Sequence, residues 1–183
     1  CSAPGGKTFQ LIQKGANVNS IEVNKLRLNL LKLNLNRLNY FAKIISTDVL
    51  KIKNENKYNI VVLDAPCTSV GTARRNPDIF FKEKKIDLQS KLILQKKLLE
   101  KADKLLLNNG VLIYMVCSFL YEETNMQINN FLKHNKNYEI EKFDGLGKYS
   151  SLIDINGFIK ILPQKFKNIN IDGFFAAKLT KND

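Results

Sequence analysis

Two cysteines stand where apolar runs give way to polar turns. Cys67 ends Asp64-Ala65-Pro66-Cys67, and Cys117 follows Met115-Val116 and precedes Ser118. A thiolate is a strong nucleophile, so thiols delivered at strand ends are candidates for covalent catalysis, although either cysteine alone is more often a small buried hydrophobe. A third cysteine opens the turn Cys1-Ser2-Ala3-Pro4-Gly5-Gly6-Lys7-Thr8. Glycines there let backbone approach a ligand closely. A phosphate-binding loop of the type Gly-x-x-x-x-Gly-Lys-Thr needs glycine where this chain has Cys1, so the triphosphate pattern is incomplete. The three cysteines offer neither a paired disulfide framework nor a two-residue-spaced zinc couple, and no metal is expected.

The elements that must position these groups alternate between helix and strand. After the glycine turn, 9–14 reads as a short helix and 18–23 as a β-branched strand carrying Glu22 near its end. Residues 24–38 read as a helix with Leu26, Leu30, Leu33 and Leu38 on one face and Leu28, Leu31 and Leu35 widening the stripe. A second short strand, 42–46, leads to Asp48. Residues 59–63 form the continuous apolar run of a strand covered on both faces, and Asp64 follows it. A long helix is predicted over 86–107, with Leu88, Leu92, Leu99, Ala102 and Leu106 inward, ended by Asn109-Gly110. Strand 111–116 then delivers Cys117. Residues 122–134 read as a helix, and 158–162 and 174–179 as strands joined by the polar stretch 164–173.

This alternation predicts an α/β fold with a mostly parallel sheet flanked by helices. Ligands of such sheets sit beyond the carboxyl ends of the strands, so Glu22, Asp48, Asp64 and Cys117 are expected at one crevice. The turn at Cys1 begins with no strand before it, and the first strand of the sheet is expected to be missing. The 183 residues fit one catalytic domain, incomplete at its N-terminus. Neither a run of about 18 apolar residues nor a secretory layout occurs, so a cytoplasmic location is expected. The net charge of +12 favours an anionic partner, nucleic acid first. Only Arg27, Arg37, Arg74 and Arg75 are arginine among 29 basic residues. A lysine bias of composition accounts for part of that charge.

Taken together, the glycine turn, Asp64-Ala65-Pro66-Cys67 and Cys117-Ser118 resemble the Sun/Nop family of RNA 5-methylcytosine methyltransferases. Arg74-Arg75-Asn76-Pro77-Asp78-Ile79, Glu122-Glu123-Thr124-Asn125 and Asp172-Gly173-Phe174-Phe175 are similar to its bacterial 16S ribosomal RNA branch. The likeness runs from Cys1 to about Lys178. It implies a Rossmann-like methyltransferase fold and S-adenosylmethionine as cofactor, held by Cys1, Ser2, Ala3, Pro4, Gly5, Gly6, Lys7, Glu22, Asp48 and Asp64. It also implies methyl transfer to carbon 5 of a cytosine in RNA, with ribosomal RNA as partner and a monomer favoured. Cys117 is then the nucleophile, Cys67 the thiol that assists release, and Asp64 the group that steadies the base. Arg74 and Arg75 are expected phosphate contacts, with a solvated pair as the alternative.

The chain departs from the family pattern at three places: Ser2 for the usual Ala, Glu22 for the usual Asp, and Val116 where Thr is common. An apolar strand before Cys117 would by itself keep its thiol protonated, so helix N-terminal amides and basic neighbours are expected to offset it. His134, the lone histidine, is expected at the surface without a role. A P-loop ATPase and a non-catalytic RNA-binding relic of the fold remain as other readings of the same residues.

Overall fold

A computed structural model describes residues 1–53, 57–81, 87–144, 146–166 and 169–183. They fall in two compact units, Cys1–Lys53 and Asn54–Asp183.

In the first unit, α1 (Gly6–Gln13), β1 (Asn19–Ile21), α2 (Lys25–Leu38) and β2 (Lys43–Ile45) follow one another, and β1 pairs with β2 in parallel with Ser20 opposite Ile44. Both ends of α2 carry sequence signals. The Asn24 side chain accepts from the Arg27 amide at 3.0 Å, and Asn39, at φ 53°, turns the chain out of the helix in the left-handed conformation. A small core forms from Ala3, Leu31 and Leu35, with Phe9, Ile12, Tyr40, Ala42 and Ile44 packed around it.

The inward face of α2 differs from the sequence expectation. Leu28, Leu31 and Leu35 are buried, while Leu26 is 81% and Leu33 66% exposed, and Leu30 also faces outward. Leucines stand nearly all round this helix, so two stripes satisfy helical spacing equally. What decides between them is the apolar surface of Ala3 and its neighbours, supplied by the glycine turn rather than by α2 itself.

The second unit contains β3 (Tyr58–Asp64), α3 (Leu88–Leu105), β4 (Leu106–Val116), α4 (Asn125–His134), β5 (Tyr138–Ile140), β6 (Ile159–Ile161), β7 (Gln164–Phe166), β8 (Ile169–Ile171) and β9 (Phe174–Lys181). Its main sheet has the order β3-β4-β9-β5, with β6 also pairing β9. β3 and β4 run parallel, joined across α3 as a parallel pair requires, and Asp64 lies opposite Met115. β9 runs antiparallel to β4, with Leu112 opposite Leu179 and Val116 opposite Phe175. Leu112, Tyr114 and Val116 alternate along β4 and are fully buried with Phe175, Ala177 and Leu179 of β9. This period of two fills one face of the sheet.

Three boundaries depart from the sequence reading. Of the helix expected over 86–107, Ile86 lies outside the described residues. The helix runs Leu88–Leu105, and Leu106 already begins β4. Asn109, at φ 58°, kinks that strand where its register with β3 slips between Tyr58 and Ile60. The helix expected over 122–134 is divided. Tyr121–Glu123 makes a 3-10 turn, Thr124 breaks the path, and α4 starts at Asn125. Within 164–173, read as a polar connection, β7 and β8 form an antiparallel hairpin, with 167–168 outside the described residues. β5 was also unforeseen. Strands this short carry too few residues for a periodicity to register.

Candidate active site

Strand β3 ends at Asp64, and the chain turns through Ala65-Pro66 to Cys67; neighbouring β4 ends at Val116, and Cys117 follows at once. Adjacent parallel strands therefore present their carboxyl ends side by side. The two sulfurs lie 3.4 Å apart. Ser69 Oγ is 3.3 Å from Cys117 Sγ and 3.9 Å from Cys67 Sγ. Val116 points to the opposite, core face and is fully buried, so a hydroxyl at that position would not face the thiol.

Two neighbouring thiols cannot both release a proton easily, and this pair divides the task. The Cys117 thiol is lowered to about 6, chiefly because Cys67 donates a hydrogen bond to its sulfur; burial opposes this, the Ser69 hydroxyl adds to it, and the Asp64 charge works against it. Cys67 is pushed far up, first by holding its hydrogen against Cys117 and then by burial. Of the two, Cys67 holds its proton more tightly than Cys117. The cause differs from the sequence expectation in part. A backbone amide contributes, but the largest cause is the neighbouring Cys67 thiol rather than a basic side chain.

A buried polar network fixes the Cys67 turn. Glu123, fully buried, accepts from the Thr68 amide at 2.9 Å, from the Thr68 hydroxyl at 2.5 Å and from Gln95 Nε2 at 3.0 Å. Gln95 Nε2 also donates to the Pro66 carbonyl at 3.0 Å, and the Tyr114 hydroxyl donates to the Glu123 carbonyl at 2.8 Å. A buried carboxyl group needs hydrogen-bond partners of this kind. Further along, the Gly71 amide donates to the Cys117 carbonyl at 3.1 Å, and the Gly173 amide to the Gly71 carbonyl at 2.7 Å. A Cβ on Gly71 would stand 2.2 Å from the Gly173 oxygen.

Sequence reasoning missed Gln95, Thr68, Ser69 and the role of Glu123. Gln95 did leave a signal, a polar residue at helical spacing on the apolar stripe of Leu92, Leu99 and Ala102. The others depend on loops that meet only in the fold. Arg74 and Arg75 are exposed and share one carboxylate, Asp172, at 3.3 and 2.5 Å. His134 is exposed, its Nδ1 2.8 Å from the Asn130 carbonyl in the preceding helical turn.

The remaining residues singled out lie in the first unit. Cys1, through its terminal ammonium, and Ser2, through its amide and hydroxyl, all donate to the Ile21 carbonyl at 3.0–3.2 Å. Glu22 is nearly fully buried; one oxygen accepts from the Ala3 amide at 3.2 Å and the other from the Asn24 amide at 3.0 Å. Burial disfavours its charge, but these two amides, with Arg27, hold its pKa below the usual carboxylate value. Arg27 also donates to the Ala3 carbonyl, and Asn34 to that of Pro4 at 3.2 Å. Gly5, at φ 115°, has no room for a Cβ against Phe9 and Leu31, whereas Gly6 faces open space. Asp48 accepts from the Leu50 amide at 3.0 Å at the start of a 3-10 turn, and Lys7 lies half-buried in the first turn of α1.

This loop fits a nucleoside cofactor better than a triphosphate. Its backbone is stretched between a strand carbonyl and a carboxylate, Gly6 leaves space beside the amides that open α1, and each Glu22 oxygen retains a lone pair. Among the described residues no group of His, Cys, Asp or Glu could hold a metal ion, and no helix is long and apolar enough to cross a membrane.

Comparison with known proteins agrees with these observations. Residues 1–180 match the model of the family described as 16S rRNA methyltransferase RsmB/F. The chain is 33% identical to ribosomal RNA small subunit methyltransferase B of Pasteurella multocida and 34% identical to that of Shewanella oneidensis, in each case over 99% of its own length. It spans 41% and 42% of those two proteins. The solved structure of NSun6 from Pyrococcus horikoshii with SFG, the adenosylmethionine analogue sinefungin, matches with a TM-score of 0.80 and 27% identity, covering 100% of this chain and 47% of that one. The fold is thus the Rossmann-like α/β fold of S-adenosylmethionine-dependent methyltransferases, and the chain belongs to the RsmB/F family of 16S rRNA methyltransferases.

Proposed function

We propose that this chain, as the catalytic domain of a cytoplasmic ribosomal RNA methyltransferase, methylates carbon 5 of a cytosine in 16S ribosomal RNA through a covalent adduct with Cys117. The observation that carries this reading is the pair of sulfurs 3.4 Å apart with opposite proton affinities. Carbon 5 of cytosine is a poor nucleophile until a thiolate adds to carbon 6. Covalent addition divides one difficult step into two easier ones. S-adenosylmethionine, when bound by the Cys1–Lys7 loop with Glu22, Asp48 and Asp64, supplies the methyl group.

The Cys117 thiolate adds to carbon 6 and the electrons of the double bond move toward carbon 5. Asp64 steadies the ring at its nitrogen and amino group as charge develops. Once Cys117 is alkylated, Cys67 no longer shares its hydrogen with a thiolate, yields its proton to solvent and takes the proton from methylated carbon 5. The double bond reforms and the carbon–sulfur bond breaks, with its electrons returning to Cys117. The base must leave its stack for this, since carbon 6 is closed to a thiol within a helix. Arg74 and Arg75 meet phosphates, for which Asp172 keeps them arrayed on one side of the Cys67 loop. The reverse assignment, with Cys67 attacking, would call on the thiol that holds its proton more tightly.

The test compares single variants incubated with 16S ribosomal RNA and S-adenosylmethionine. Cys67→Ala is expected to accumulate a denaturant-resistant protein–RNA band, because adduct breakdown becomes slow, and Cys117→Ala to give none and no methylation. The opposite pattern would give the nucleophile's role to Cys67. Methylation without an adduct in either variant would remove covalent catalysis.

A further inference from the structure

We propose that Gln95 is a positioning residue of the two-thiol centre: with Glu123 it clamps the peptide groups on either side of Cys67 and so holds that thiol where it can free the methylated base. The inference rests on the reading of Cys67 as the releasing thiol given above, and it adds residues to which that reading assigns no part in the reaction.

The clamp is a closed ring of hydrogen bonds. The Pro66 carbonyl belongs to the peptide plane that enters the Cys67 Cα, and the Thr68 amide to the plane that leaves it. Gln95 Nε2 donates to that carbonyl at 3.0 Å, and Glu123 Oε1 accepts from that amide at 2.9 Å. The ring closes where Gln95 Nε2 also donates to Glu123 Oε1 at 3.0 Å, and the Thr68 hydroxyl ties the other carboxyl oxygen. Peptide groups are planar, so φ and ψ at Cys67 alone relate the two planes. With both planes held, these angles are fixed, and the direction in which Cβ leaves the chain is fixed with them. Cys67 keeps only its side-chain torsion, and its sulfur lies 3.4 Å from that of Cys117.

Gln95 itself supplies a second observation. It is fully buried on the stripe of α3 that Leu92, Leu99 and Ala102 share, where an apolar residue of similar size would pack without polar cost. Its amide is oriented one way, because turning it over would set its oxygen against the Pro66 and Glu123 oxygens. In that orientation Oε1 is buried and has no hydrogen-bond partner among the described residues. An unsatisfied buried group calls for a reason, and here the same amide holds both sides of the Cys67 turn.

Release is the step that needs this hold. In the adduct, methylated carbon 5 lies one bond from the carbon 6 joined to Cys117. Cys67 takes the carbon 5 proton, the electrons of that bond re-form the double bond between carbons 5 and 6, and the electrons of the carbon–sulfur bond return to Cys117. Attack calls on Cys117 alone, which follows directly from β4. A loosened clamp therefore slows release and spares attack.

The full chain and its Gln95→Met, Thr68→Val and Thr68→Ser variants are incubated with 16S ribosomal RNA and S-adenosylmethionine beside Cys67→Ala. Each is read for turnover and for the denaturant-resistant protein–RNA band. Gln95→Met keeps the shape and loses the donors. It is expected to lower kcat about 10- to 100-fold, with KM for RNA no higher, and to accumulate the band although both cysteines are present. Thr68→Val should move both readings the same way by less, and Thr68→Ser, which keeps the hydroxyl, should behave as the unaltered chain. A merely weakened fold would lower turnover and band together. A folded Gln95→Met that turns over normally, or slowly without the band, would thus overturn the proposal. Should Gln95→Met fail to unfold cooperatively in urea, the threonine pair decides: a band in the valine variant and none in the serine variant upholds the clamp, and any other pattern overturns it. No band in Cys67→Ala would fail the covalent reading first, and this inference with it.

Discussion

The two units hold their residues by different means. In the first, Ala3, Leu31 and Leu35 are the buried apolar cluster, and the glycine turn is secured from outside by hydrogen bonds from its own backbone to Ile21 and Glu22 and by Arg27 and Asn34 reaching back to it. In the second, fourteen of the described residues form a continuous buried core around β4 and β9, and the thiols sit at its rim behind the network around Glu123. Polar tethers suit a loop that admits a ligand through its backbone. A hydrogen shared between two sulfurs needs a frame that does not give, because the bond weakens over a few tenths of an ångström. The difference is one of means: polar tethers around the glycine turn, and a packed apolar core beneath the two thiols.

The sharpest way to break this contrast is to add the same methyl group to a glycine of each unit. Gly71→Ala would place its Cβ against the backbone oxygens of Gly173 and Cys117, neither of which can swing aside. A loss of about 3 kcal/mol or more in urea unfolding is expected, together with loss of methyl transfer. Gly6→Ala meets nothing within 4 Å and lies at the start of α1, so stability should hold or rise by up to about 1 kcal/mol. Equal effects at the two positions would dissolve the distinction.

A smaller contrast compares the cores themselves. Leu112 and Leu31 are both fully buried, one within the large cluster and one within the small. Leu112→Ala is expected to cost about 4 kcal/mol, and Leu31→Ala nearer 2 kcal/mol, because the thinner surroundings of Leu31 can close around the missing atoms. Hydrogen exchange resolved by peptide would show whether each loss stays in its own unit.

The smallest effect concerns the tether. The folded pKa of Glu22 is depressed, so its carboxylate stabilises the fold above the ordinary value of 4.5 and loses that contribution as pH falls through the folded value. Glu22→Gln should therefore melt earlier than the unaltered chain at about pH 7. The gap should close as the pH drops below 4.5. A gap that widened toward acid would mean that Glu22 is held protonated in the fold.

Local features were legible in the sequence. The start of α2 at Asn24, the glycine turn and the apolar runs ending at Asp64 and Cys117 are each encoded within a few neighbouring residues, whereas the pairing of Cys67 with Cys117 came from the family resemblance. The buried face of α2 was not legible, because its leucines satisfy two stripes and Ala3 chooses between them. Nor was the charge state of Cys117. Helix N-terminal amides and basic neighbours were the expected remedy, whereas the Cys67 thiol is the largest contributor, and its approach is set by a turn whose anchor, Glu123, comes from another segment. Arg74 and Arg75 read as phosphate contacts or a solvated pair, and their meeting with Asp172 joins residues 98 apart or nearly so. No local pattern encodes such an encounter.

That same closure bears on the order in which the molecule is made. The turn carrying Cys67 leans on Gly173 through Gly71, and on Asp172 through the arginines, so a segment synthesised early waits for one synthesised nearly a hundred residues later. At about 5–20 residues per second on the ribosome, the delay is many seconds. During that interval the strands that deliver the thiols can exist without the clasp behind them. The contacts that Gly71, Arg74 and Arg75 make with Gly173 and Asp172 therefore form only after the turn leading into β9 has been made.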